Sequence, residues 1–227
     1  MTHTLHDQRI LIIGGGRGIG ADIARRVEQA RASSIVATRA GDHDLKLDVL
    51  DEETIAAAAA SLGPVDHIVS TVSAHHDVPV SHLDHDKVTA AFGTKVVAPL
   101  LVAKHLAHLV RPGGSMLFFS GVVGWQPKPG TVVKGVANGA LDFLVRHLAV
   151  ELAPLRVNAI APGLVDSGTW DRLGEAGKSA LLANAAQGSL VGRHGTVGDI
   201  SDAALWLLGA GYVTGELIHV DGGARHR

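Results

Sequence analysis

The sequence predicts an α/β chain, a doubly wound parallel sheet with helices on both faces, and three observations carry that expectation. Short apolar runs of strand length alternate with helical patterns over all 227 residues, as in a parallel sheet covered on both sides. The apolar run Ile10 to Ile13 passes through a glycine-rich turn, Gly14 to Gly20, straight into a helix whose Ile19, Ile23 and Val27 share one face. Hydrophobic residues make up 46% of the chain, enough for a full core. No repeat, linker or low-complexity tract interrupts the pattern beyond the alanines at 56–60. A single domain over 1–227 is expected.

The elements follow in order. After the first strand, the first helix runs from about Gly18 to Ala30, and Ser34 to Thr38 is a second strand ending at Arg39. Ala40 to Asp44 is too short for a crossover helix, so Leu45 to Leu47 reads as a short third strand after a trimmed connection, closed by Asp48 and Val49. Asp51 to Ser61 is alanine-rich and acidic at its start, where the helix dipole favours negative charge, and Gly63-Pro64 breaks it. Asp66 to Ser70 is the fourth strand and Ser73 to Ser81 a loop. A long helix from about Leu83 to Val110 contains Pro99, which either kinks or divides it. Pro112-Gly113-Gly114 reads as a turn, Ser115 to Ser120 as the fifth strand and Thr131 to Glu151 as a helix. Arg156 to Ile160 is the sixth strand, Asp171 to Ala186 a poorly patterned helix, Val197 to Leu208 another, and Leu217 to Val220 the last strand.

Composition narrows the function classes. Twenty basic against 22 acidic residues favour neither nucleic acid nor an acidic membrane surface as partner. The absence of cysteine removes disulfides and thiolate chemistry. Met1 to Arg9 is polar, without the apolar core of a signal peptide, and no apolar run reaches membrane-spanning length, so a cytoplasmic location is expected. Four histidines, His75, His76, His82 and His85, are interleaved with Asp77, Asp84 and Asp86. They lie in a loop and helix start without a rigid ligand spacing, and a solvated face is the better reading than a metal site.

The glycine turn is the first functional signal. Glycines there let the backbone approach a pyrophosphate, whose charge sits against the free N–H groups of the helix start. Tight turns also need glycine, so placement between a strand and a helix is what makes the signal specific.

Several ordered pieces extend it: Gly14-Gly15-Gly16-Arg17-Gly18-Ile19-Gly20, Leu47-Asp48-Val49, Arg156 to Gly163, Gly192 to Gly195, Thr214-Gly215 and Val220-Asp221-Gly222-Gly223. On these pieces the chain resembles the short-chain dehydrogenase/reductase family over essentially its full length. The resemblance implies a Rossmann-like sheet of about seven strands. It sets Gly14, Gly18 and Gly20 on the family's three glycines, with Gly16 and Ile19 in the same turn and Ile13 where a threonine usually precedes. Asp48 falls on the carboxylate that receives the adenine amino group, with Val49 against the ring. Ser70-Thr71-Val72-Ser73 stands where the family commonly has Asn-Asn-Ala-Gly beside the adenine ribose. Pro162, Gly163 and Val165 match the segment over the nicotinamide, and Ser167 or Thr169 would meet the carboxamide.

NADP(H) is favoured over NAD(H) on charge. An acid at the end of the second strand binds ribose hydroxyls in NAD-preferring folds; here Thr38 brings no repulsion, Arg39 follows, and Arg17 rises from the glycine turn. Two guanidiniums facing a 2′-phosphate make charge-assisted, often bidentate bonds, whereas either alone would more often be a surface charge.

The catalytic signature departs from the family's Tyr-x-x-x-Lys. The single tyrosine is Tyr212, and aligning 139–144 with the family's run after the lysine puts Lys134 at the tyrosine and Asn138 at the lysine. The family's serine falls at Ser120 or Gly121, and its helix asparagine at Lys95. Lysine and asparagine have thus exchanged places. One reading has Lys95 supplying the ammonium missing at 138 while Asn138 bonds a ribose hydroxyl; the other leaves Lys95 an ordinary exposed lysine. Lys134, one helical turn from Asn138, is a candidate proton donor if partly desolvated. His75 and His76 fall near the substrate side, or are simply loop residues.

Three readings follow. The first is an NADPH-dependent reductase of a small carbonyl, imine or activated alkene with a rebuilt proton-donor set. The second is an NADP(H)-binding protein with little catalysis, in sensing or assembly, and the third is non-redox chemistry on the same scaffold. Asp166 to Gly192 is expected to form a substrate lid, lined by Trp170, Leu173, Leu181 and Leu182. A homo-oligomer, tetramer or dimer, is implied by the resemblance.

Overall fold

The structure is a computed structural model and describes residues 5–227; the first four residues of the polar N-terminal stretch lie outside the described residues. Seven parallel strands form one sheet. They are β1 (Arg9–Ile13), β2 (Ser33–Thr38), β3 (Leu45–Lys46), β4 (Val65–Ser70), β5 (Val110–Phe119), β6 (Arg156–Pro162) and, after two further short strands, β9 (Leu217–Val220). Their spatial order is β3-β2-β1-β4-β5-β6-β9. The expected doubly wound sheet is therefore present, with its order reversing between β1 and β4, where such sheets open a crevice at the carboxyl ends of the strands.

Both faces are covered. Leu11, Ile13, Ile68, Met116 and Phe118 point to one side and pack with Ile55 of α2 (Glu52–Leu62), with Val102 and Leu106, and with Leu141 and Val145 of α5 (Val132–Glu151). Ile10, Ile12, Val69, Leu117 and Ile160 point to the other, against Ile23 and Val27 of α1 (Gly18–Gln29) and Ile200, Ala204 and Leu207 of α7 (Val197–Gly209). Period-two alternation along each strand feeds both cores.

The long helix spans His85–Leu109 and is divided just before Pro99, by a π-helical turn rather than by a break in the chain. It comprises α3 (His85–Phe92), a π-helical turn at Gly93–Val97 and α4 (Ala98–Leu106), followed by a 3₁₀ turn. Pro99 lies in the first turn of α4, directly after the π turn, where its missing N–H costs little. The wide turn rotates Thr94 and Lys95 inward, and both are buried. By length and composition alone this helix would suit a bilayer. Here Ala91, Ala98, Val102, Ala103 and Leu106 are buried within the fold.

Two other expectations are corrected. Pro112-Gly113-Gly114 is part of β5, not a turn before it. Gly113 has φ +86, and a Cβ on Gly114 would lie 2.1 Å from the Asp66 carbonyl oxygen, so glycine lets β5 bulge against β4 where the register shifts. The 171–186 helix is a 3₁₀ turn at Asp171–Leu173 followed by α6 (Gly174–Gln187), which buries no residue. The two ends of that insertion are clasped by a small parallel pair, β7 (Val165–Asp166) and β8 (Gly195–Thr196), too short to leave a sequence pattern.

Candidate functional site

The glycine turn leaves the carboxyl end of β1 beside the switch point, and close packing of the chain on itself requires its glycines. Gly14 has φ +85, and a Cβ there would meet Thr71 Oγ1 at 2.8 Å. A Cβ on Gly20 would lie 2.4 Å from the Gly14 carbonyl oxygen. Thr71 donates its hydroxyl to the carbonyls of Gly14 (3.1 Å) and Ile13 (3.3 Å), so the segment after β4 holds the turn in place. Arg17 occupies the N-cap of α1 with no side chain capping the helix, and the first turn carries no acid. Bare amides and the positive end of the dipole therefore face the crevice. This cradle fits a dinucleotide's pyrophosphate.

Around it lie the other sequence-predicted contacts. Gly16 meets Thr38, whose Cγ2 would stand 3.1 Å from an added Cβ. Arg17 and Arg39 are both exposed, and among the described residues neither guanidinium forms an ion pair. Asp48 accepts a bond from Leu50 N at 3.0 Å, and Val49 beside it is buried. Ser70 ends β4, buried. Pro162 ends β6, Gly163 N donates to the Val220 carbonyl at 3.0 Å, and Val165 is buried. The Ser167 carbonyl oxygen lies 2.9 Å from a Cβ built on Gly18, so the base of the lid presses on the glycine turn.

The most unusual group is Lys95. It is 6% exposed, and its ammonium donates to the carbonyls of Phe119 (2.6 Å) and Val72 (3.2 Å), at the carboxyl ends of β5 and β4. It has no carboxylate partner among the described residues. Burial, and then the positive charge of Lys134, push its pKa down to about 8. The reading of Lys95 as an ordinary exposed lysine is thereby overturned, because the π turn carries it inward.

Across from it, Asn138 of α5 is 3% exposed, and its Oδ1 is buried without a hydrogen-bond partner. A buried acceptor left without a partner is rare in a native fold and calls for a specific explanation. Ser120 is buried and donates its hydroxyl to the Asn138 backbone carbonyl at 2.9 Å, tying α5 to the end of β5. Lys134, one turn earlier on α5, is paired with Asp77 at 2.8 Å and lies 6.0 Å from the ring centre of Trp170 in the lid.

The histidines separate. His76 is not on a solvated face: it is buried, and its Nε2 accepts the backbone N–H of Asp84, whose side chain caps α3. His75 meets Ser73 Oγ at 3.2 Å. The residue is exposed, and partial desolvation of the ring, then the charge of Lys134, lower its pKa against the opposing pull of Asp77. It is neutral at physiological pH and, of the two, the one facing the lysines.

The lid residues are less buried than expected. Leu173 is exposed and Leu181 and Leu182 half-buried, while Trp170 is fixed by its Nε1 donating to the Val165 carbonyl at 3.0 Å. Lys178 ties α6 to Asp166 and Asp171 at 2.9 and 2.8 Å. Tyr212 is fully exposed beyond α7. Sequence reading missed Asp77, the partner of Lys134, and Asp42, which accepts the Thr38 hydroxyl at 2.5 Å. Asp77 stood among the interleaved histidines and acids, but nothing in its spacing set it opposite Lys134.

Comparison with known proteins agrees with this architecture. Residues 14–225 match the family model described as Enoyl-(Acyl carrier protein) reductase. The short-chain dehydrogenase/reductase ATR9 of Stachybotrys chlorohalonatus is 32% identical over 252 residues, covering 97% of this chain and 98% of the relative. A small-chain dehydrogenase crystallised in complex with NADPH superposes with a TM-score of 0.91 at 32% identity, over 97% of this chain and 100% of that one. The MalC reductase/Diels-Alderase of Malbranchea aurantiaca gives 0.90 at 26% identity, over 100% of this chain and 99% of that one. The chain belongs to the short-chain dehydrogenase/reductase family and is an oxidoreductase of that type.

Proposed function

We propose that the protein is an NADPH-dependent reductase of a small carbonyl, imine or activated alkene, working without the family's tyrosine. The observation that carries this reading is the buried, uncompensated Lys95 ammonium bonded to Val72 O and Phe119 O at the strand ends. Burying such a charge without a carboxylate is costly and is found where charge is used.

Bound NADPH would supply the hydride. Gly14, Gly16, Gly18, Ile19 and Gly20 would hold its pyrophosphate, Arg17, Thr38 and Arg39 the 2′-phosphate, Asp48, Val49, Ser70, Thr71 and Val72 the adenosine, and Pro162, Gly163 and Val165 the nicotinamide. The relative crystallised with NADPH supports that choice of nucleotide. Lys95 provides fixed positive charge, and Asn138 Oδ1 takes a ribose hydroxyl. Ser120 fixes Asn138 through its carbonyl. Lys134 Nζ donates the proton to the substrate heteroatom and is positioned by Asp77. An imine or iminium needs less from such an acid, because a protonated imine already carries its activating charge. The reductase in the name of the MalC relative is consistent with reduction on this scaffold. The 166–192 segment acts as the substrate lid on a single cytoplasmic domain that assembles as a homo-oligomer.

One observation favours the second reading, a nucleotide binder with little catalysis: Lys134 is held by Asp77, and Ser120 spends its proton inside the fold. Following NADPH oxidation over carbonyl and imine panels separates the two. Lys134→Met and Lys95→Met are each expected to lower turnover about 100-fold, the scale of one lost acid or one lost electrostatic group. Stoichiometric NADPH binding with no oxidation across the panels sinks the catalytic reading.

A further inference from the structure

The trimmed connection between β2 and β3 does more than shorten the chain. With no crossover helix, Arg39 to Asp44 folds straight back on the strand it leaves. Gly41, at φ +73, makes the reversal, and its N–H donates to both Thr38 O (3.3 Å) and Thr38 Oγ1 (3.2 Å). Asp44 locks the return, its Oδ2 accepting the Val36 N–H of β2 at 2.8 Å. Between these anchors Asp42 is carried onto the end of β2, with Oδ1 2.5 Å from Thr38 Oγ1 and 3.1 Å from His43 Nδ1. His43 in turn abuts the glycine turn, its Cε1 3.1 Å from a Cβ built on Gly16.

The end of β2 beside the glycine turn is where a carboxylate selects ribose hydroxyls. Position 38 is threonine, so by residue type the place is neutral. By geometry it is not, because a carboxylate from four residues further on lies against the Thr38 hydroxyl. The Thr38 hydroxyl, and then His43, hold that carboxyl below the usual carboxylate range, so it is ionised at neutral pH. Neither Arg17 nor Arg39 forms an ion pair with it.

On the reading that this crevice binds a nicotinamide dinucleotide, we infer that Asp42 is a specificity-determining residue, which accepts the ribose hydroxyls of NAD(H) and opposes the 2′-phosphate of NADP(H). The chain therefore has two charge sets at one place, Arg17 and Arg39 drawing the phosphate and Asp42 resisting it. Preference for NADPH is held to a modest ratio, and NADH is a second ligand. Asp44 has no such part, because its carboxylate is committed to Val36 N.

Equilibrium titration with NADPH and with NADH, read by tryptophan fluorescence without substrate, tests this. In the wild type both nucleotides bind, with affinities within about tenfold. Asp42→Ala and the nearly isosteric Asp42→Asn both remove the charge from an exposed loop. Each is expected to move the Kd(NADH)/Kd(NADPH) ratio about tenfold or more toward NADPH, the scale of one charge-assisted bond lost and one repulsion relieved. A ratio that moves less than threefold in both variants, or toward NADH, overturns the role of Asp42 while leaving the nucleotide site intact. Binding of neither nucleotide by the wild type overturns the role together with the reading beneath it.

Discussion

Lys95 concentrates the physics of the site. A lysine in the unfolded chain keeps its proton to about 10.5, while in the fold it releases it at about 8. Between those values the unfolded chain binds more protons, so stability rises with pH. The penalty, on the order of 3 kcal/mol, is fully present below pH 8 and is relieved as pH climbs toward 10.5. Urea midpoints measured from pH 7 to 10 should therefore rise in the wild type relative to Lys95→Met. Parallel curves would show that the ammonium is not desolvated as the geometry requires. At this scale the sequence was half legible. The exchange of Lys95 and Asn138 could be read by alignment with the family's spacing, but burial could not, since Lys95 becomes internal only through a π turn. Asp42 was invisible for a related reason: its partner is the strand end it leaves, and only the fold of a six-residue loop brings them together.

Among the elements, the glycine turn was the most readable, because hydrophobic periodicity on both sides fixes its place and positive φ demands its residue type. Gly20→Ala tests that packing. The added Cβ would sit 2.4 Å from the Gly14 carbonyl oxygen and 2.8 Å from Thr71 Oγ1, and backbone cannot yield as a side-chain tip can. A loss of about 2 kcal/mol or more in stability is expected, with NADPH binding weakened at least tenfold. Wild-type affinity and melting temperature in this variant would mean that the turn is looser than described. The insertion at 166–192 was less readable. Its helix α6 buries nothing, so no apolar stripe marks it, and its two clasping strands of two residues each are shorter than any alternation. What holds it includes a lysine between two aspartates, one indole bond to Val165 and, at its far end, bonds from Ser189 and Leu190 to the Gly222 carbonyl, contacts whose partners no local pattern reveals.

In the whole molecule, the sheet and its two cores follow from alternation of strand and helix, and the parallel order β3-β2-β1-β4-β5-β6-β9 brings the carboxyl ends of the strands, where the proposed contacts cluster, to one end of the sheet. The outer surface adds an expectation about assembly. Val132, Val136, Phe143 and Val150 are exposed at helical spacing along α5, with Phe143 at 63% and Val150 at 81%. A stripe of that kind suits a partner copy. Light scattering should find a dimer or tetramer, and Phe143→Asp should shift it toward monomer; a wild-type monomer at micromolar concentration would contradict the assembly.

The central claim is a working dinucleotide site at the glycine turn, with Arg17 and Arg39 serving the 2′-phosphate. Its most direct test is NADPH and NADH titration of the wild type beside the Arg17→Ala/Arg39→Ala double variant. Micromolar NADPH binding is expected in the wild type, falling at least tenfold in the double variant while NADH affinity changes less than threefold. No NADPH binding by the wild type, or an equal loss for both nucleotides, would contradict it.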